Sequence, residues 1–143
     1  MPALHTYDSA IIRVVPRVDR GECLNAGIIL SCDLERYLAA RILLDESALL
    51  ALDAAADLEL IRGALAAVPI LCAGGPGAGP IGLLTARERF HWLVAPRSTV
   101  VQTSPVHTGR CEDFGAALGH LMSTMIERHG RAVHAGASTP PRR

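Results

Sequence analysis

Six arginines, Arg13, Arg17, Arg20, Arg89, Arg97 and Arg110, fall in or beside two polar blocks of the chain. Each guanidinium is a planar fork of donors that can make two parallel, charge-assisted bonds to one phosphate or carboxylate. Ser98, Thr99, Ser104 and Thr108 add hydroxyls, and His107 adds a titratable ring. This set points to anion recognition. The residues expected to line such a site are Arg17, Arg20, Glu22, Asn25, Arg97, Ser98 and His107, with the loop from Pro16 to Glu22 folding against Pro96 to Gly109. In that arrangement Glu22 orients an arginine from behind. The competing structural reading makes Arg20-Gly21-Glu22 a tight turn whose carboxylate pairs with Arg13 or Arg97, and makes Asn25 a strand-start side chain bonding local backbone. Catalysis asks for more. Glu22 and His107 are the candidate acid and base for a small metal-independent hydrolase or nuclease acting on a phosphodiester, but no nucleophile motif or paired-carboxylate pattern accompanies them.

Strands must position these blocks. Tyr7 to Val15 alternates and is rich in β-branched residues, and Pro16 ends it. Leu24 to Cys32 reads as a more buried strand in which Gly27 marks a bulge or a close backbone approach. A turn at Asp33 to Glu35 leads to a third strand, Arg36 to Leu44, and the short links imply an antiparallel meander. Thr99 to Thr103 supplies a returning fourth strand.

The intervening chain has helical period. Asp45 to Leu52 makes a short helix, and Asp57 caps a longer one carrying Leu58, Ile61, Leu65 and Val68, which Pro69 should break or kink. GGPGAGP, Gly74 to Pro80, lacks the Lys-Ser or Lys-Thr of a phosphate-binding loop and reads as a flexible connection. Thr85-Ala86-Arg87-Glu88 is a capping box. The helix it starts brings Phe90, Leu93 and Trp92 toward the core before Pro96. Asp113 to His129 is the strongest helix, with Phe114, Leu118, Leu121, Met122, Met125 and Ile126 on one face and Gly130 as its stop. The expected fold is therefore α+β, an antiparallel sheet of about four strands packed against helices in two layers. Residues 1–130 would form one domain and residues 131–143 a polar, mobile tail.

Composition narrows the function classes. With 143 residues, half of them apolar, the chain can bury about two-thirds of the surface its unfolded form exposes. All 14 basic residues are arginine and the net charge is zero, which argues against general nucleic-acid binding. No apolar run approaches the roughly 20 residues of a membrane span, and MPALHTYDSA lacks the parts of a signal peptide, so the expected location is cytoplasmic. Cys23, Cys32, Cys72 and Cys111 form no C-x-x-C pair and read as packed thiols. A zinc site from Cys23, Cys32 and His91 or His107 matches no ligand spacing, and neither a metal nor a cofactor is expected.

The two blocks together carry a resemblance. Arg13-Val14-Val15-Pro16 through Arg20-Gly21-Glu22 to Asn25-Ala26-Gly27, with Arg89 through Thr99 and Ser104 through Gly109, resemble the bacterial family known as domain of unknown function 3037. The similarity runs from Tyr7 to about Met125. It implies no activity, since the family has no agreed biochemical role. It implies a protein partner, because members are encoded beside a HipA-like kinase, and a phosphate-bearing small molecule is a second expected ligand. Pro69, and Phe114 in place of a helix-starting proline, depart from the family pattern and concern packing.

Overall fold

The computed structural model describes residues 3–127. β1 (His5–Val14), β2 (Leu24–Cys32) and β3 (Tyr37–Ile42) form the expected antiparallel meander. Two short strands share the outer edge of β1: β4 (Val101–Thr103) pairs Ile12 to Val14, and β5 (His107–Cys111) pairs His5 to Ser9. The sequence pattern does not predict β5, the strand that carries His107. HTGRC carries no apolar alternation, because an edge strand in solvent needs none. Ser104 makes the handover between the two strands. It is 3% exposed, its hydroxyl accepts from the Ile11 amide at 2.8 Å and donates to the Pro105 carbonyl at 2.9 Å.

The sheet has two covered faces. Ile12 and Val14 pack with Leu24, Ala26 and Ile29 under α2 (Leu58–Ala73) and α3 (Ala86–Val94). Ile28 and Leu30 pack on the opposite face under α4 (Phe114–Leu121), with Tyr7 and Ile11 of β1 beside them. α4 thus adds a third layer to the two that were expected. Gly27 makes both faces of β2 usable. Pairing runs Ile12 with Gly27 and then Arg13 with Asn25, so Ala26 is the extra residue of a bulge, and parity flips across it. A β-carbon on Gly27 would lie 2.4 Å from the Arg41 carbonyl oxygen of β3. Both meanings assigned to this glycine from sequence hold.

Local capping follows the residue types. Asp45 accepts from the Ala48 amide ahead of α1 (Glu46–Leu52), Asp57 from Leu60, and Asp113 from Gly115 and Ala116. Both bonds of the Thr85–Glu88 capping box form. Of the two effects expected of Pro69, a break or a kink, the break does not occur: α2 runs from Leu58 to Ala73 with Pro69 inside it. Pro69 lies on the exposed side, while Leu65, Val68 and Cys72 anchor the helix to the sheet on either side of it. The final turn is also held from outside: Arg89 donates to the carbonyls of Leu71 at 2.9 Å and Cys72 at 3.1 Å.

The glycine-rich segment is ordered rather than loose. It folds as two 3-10 turns, Pro76–Ala78 and Pro80–Leu83, closed by a bond from the Gly75 amide to the Gly82 carbonyl at 2.8 Å. α4 ends earlier than the apolar pattern implied and passes into a π turn, Met122–Ile126. The wider turn rotates Met125 off the buried stripe. Met125 is 44% exposed, whereas Ile126 is 4% exposed. The expected Gly130 stop and the tail lie outside the described residues. No helix among the described residues is long and apolar enough to cross a membrane.

Candidate functional site

The β1–β2 connection is where the first polar block comes to rest. The Val15 amide donates to the Val100 carbonyl at 2.7 Å, bringing the Pro16 end of this connection beside the segment that precedes β4. Arg17 to Cys23 are all exposed. Amides of Arg20 and Gly21 return to the Arg17 carbonyl, and Gly21 takes a positive φ of 74° that favours glycine. This tight turn braces itself electrostatically. Arg17 pairs with Asp19 at 3.0 Å and Arg20 with Glu22 at 2.8 Å. The Arg17 and Arg20 hydrogen bonds hold the Asp19 and Glu22 carboxyls below their usual range. Glu22 therefore reaches neither Arg13 nor Arg97. A partner two residues away in the same turn is met at less cost in chain entropy than one across the fold.

Arg97 has a different environment. Its guanidinium donates to the Trp92 carbonyl and lies 4.6 Å from the centre of the Trp92 ring. Trp92 was expected in the core but is 40% exposed. Phe90 and Leu93 form the inward stripe of α3, and Trp92 lies off it, roughly 100° around the helix from Leu93. Ser98 and Thr99 are exposed next to it. Arg97 thus lies beside a neutral carbonyl and an aromatic face.

Three other arginines, of which Arg89 was read from the sequence as an anion donor, are taken up within the fold. Arg89 donates to Leu71, Cys72 and Leu84 carbonyls and so caps α2 from the side. Arg87 pairs with Asp8 at 2.9 Å, and Thr108 donates to the same carboxylate at 2.9 Å. Arg62 grips Glu46 through two bonds. Among the described residues the Arg13 Nε is buried with no hydrogen-bond partner, on the α4 face opposite Asn25 and Gln102. Asn25 itself does bond backbone, though not local backbone. Its amide donates to the Met125 carbonyl at 3.3 Å, tying the start of β2 to the π turn.

His107 lies elsewhere. It pairs with Ser9, whereas Val101 pairs with Val14, five positions further along β1. At the rise of a strand that is roughly 17 Å. Arg17, Arg20 and Glu22 thus share one turn whose entry at Val15 is tied to Val100, while Arg97 bonds within its own segment and His107 faces α4 at the other end of the edge. Glu22 and His107 do not meet as an acid–base pair. The two cysteines of the conceivable zinc site are also apart, Cys23 exposed before β2 begins and Cys32 buried at its far end. His107 instead borders a cleft of about 270 Å³ that sequence reasoning did not detect, lined by Tyr7, Ser9, Ile11, Ile28, Leu121 and Met125. Nothing local marks it, since its walls come from β1, β2, β5 and the α4 end.

These features define an α+β protein with an open antiparallel sheet, helices packed against it and an arginine-bearing loop at one end. The chain belongs to the family described as protein of unknown function (DUF3037), which it matches over residues 9–126. No curated protein and no solved structure matches it.

Proposed function

We propose that the chain is a non-catalytic accessory protein. It docks a partner through the Arg17–Cys23 loop together with the Arg97–Trp92 pair, and this surface takes a phosphate or carboxylate group. The observation that carries the reading is the pairing pattern at this end of the sheet. Within the loop and the Arg97 segment three arginines, Arg17, Arg20 and Arg97, meet two carboxylates, Asp19 and Glu22, and the loop is exposed. Arg97, stacked on a half-exposed Trp92, meets no carboxylate among the described residues. Arginine and tryptophan side by side are the residue types enriched at interface hot spots. Ser98 supplies a hydroxyl within the same segment. The HipA-like kinase that the family resemblance implies is the first partner to test.

The test compares wild type with an Arg17→Ala, Arg20→Ala, Arg97→Ala triple variant in two assays. One is binding to the purified kinase, the other a titration with inorganic phosphate and pyrophosphate at two salt concentrations. Loss of both, steeper at low salt, is the expected result. Kinase binding unchanged in the variant removes the docking surface from this loop, and anion binding unchanged removes the anion site.

A further inference from the structure

The cleft beside His107 lies away from the docking loop, and its lining has a consistent chemistry. Ile11 and Ile28 form its floor on the sheet, and Leu121 and Met125 form its wall at the end of α4. The polar atoms are few and gathered on the strand side. Ser9 and His107 stand opposite each other across β1 and β5, a position that brings side chains to about 5 Å at Cβ. Tyr7 lies two pairs further along on the same face, its hydroxyl close over Gly109.

Ser9 is the telling residue. It is 8% exposed, and among the described residues no partner bonds its hydroxyl. Little of the residue reaches solvent, and it lines the cleft. The π turn adds a second sign. Such turns recur at functional sites, and this one turns Met125, a flexible and polarisable side chain, out of the core and onto the cleft.

We propose that this cleft binds a small amphipathic molecule, with an apolar body between Ile28, Leu121 and Met125 and an oxygen-bearing head at Ser9 and His107. The volume of about 270 Å³ is at the small end for ligand pockets and holds about nine non-hydrogen atoms at the liquid volume of water. A hydroxyl, carbonyl or carboxylate fits there, because the serine hydroxyl and an imidazole N–H can both donate to it. An ammonium fits less well, because no carboxylate lines the cleft to pair its charge.

The experiment is a set of amide-NMR titrations with three six-carbon probes: hexan-1-ol, hexanoate and hexylammonium. Hexanol and hexanoate should bind saturably, with shifts confined to Tyr7–Ile11, His107–Thr108 and Leu121–Met125, and more tightly than hexylammonium. Ser9→Ala should weaken hexanol binding about five- to tenfold, the usual worth of one hydrogen bond. Met125→Trp, at an exposed position that a larger ring fills, should abolish it, and this variant decides the matter if Ser9→Ala does not fold. Scattered or absent shifts in wild type overturn the proposal, as does hexanol binding unchanged in either folded variant. Equal binding of all three probes refutes the oxygen-bearing head.

Discussion

The Arg89 guanidinium occupies the space that a β-carbon on Gly74 would take. Its Cζ lies 2.7 Å from that point, and Gly74 holds a φ of 74°. Three carbonyls, of Leu71, Cys72 and Leu84, converge on this one side chain. α2, the glycine-rich turns and α3 are thereby fastened at a single point. Gly74→Ala meets both the strained backbone and the guanidinium. It should lower stability by about 2–4 kcal/mol, and Arg89→Met, which leaves carbonyls without their donor, by a similar amount. Chemical denaturation checks both, and the double variant should cost less than the sum because the two changes disturb one contact.

Gly27 is a second position where size alone decides. With the Arg41 carbonyl 2.4 Å from a β-carbon there, Gly27→Ala must push β3 away or undo the bulge. A loss of about 3 kcal/mol or more is expected, read from the urea midpoint. A midpoint within experimental error of wild type would mean that β3 shifts freely.

The exposed loop should behave oppositely. Glu22→Gln breaks only the solvent-facing pair with Arg20, a kind of interaction that water and salt screen to little net stability. Its denaturation midpoint should stay close to wild type at neutral pH. Thr85→Ala, which removes a cap at the start of α3, should cost about 0.5–2 kcal/mol in the same assay. If Glu22→Gln proves the more damaging of the two, the loop is packed in solution.

Burial pushes the Cys72 thiol up to about 12 from an ordinary value of 9.0, with Arg89 opposing the shift. The folded state therefore holds this proton more tightly than the unfolded one. The contribution is fully present below pH 9 and is lost as pH rises toward 12, with a limiting slope of about 1.4 kcal/mol per pH unit. Cys72→Ala should flatten the stability profile between pH 9 and 11. Alkylation at pH 8.5 should label exposed Cys23 quickly and Cys72 only on unfolding.

What the sequence by itself determined is what depends on near neighbours. The limits of β2, the cap at Asp57 and the Thr85–Glu88 box were legible because each rests on residue type within one helical turn or on strand alternation. The family was legible for the same reason, through two continuous blocks. Of the candidate site, the exposed arginine loop could be located from Pro16 and Gly21, which stop regular pairing. Only the tertiary structure decided what those side chains bond. Glu22 and Arg20 choose each other because Gly21 turns them together, and Arg89 is drawn into α2 because carbonyls freed at that helix end need donors. Pro69 is tolerated because packing on both sides of it outweighs one missing amide. His107 becomes a strand residue facing Ser9 because β1 had an open edge left to pair. An edge strand has little hydrophobic signature, and a cleft walled by four separate elements has none, since its lining meets only when the sheet has formed and α4 has closed over it.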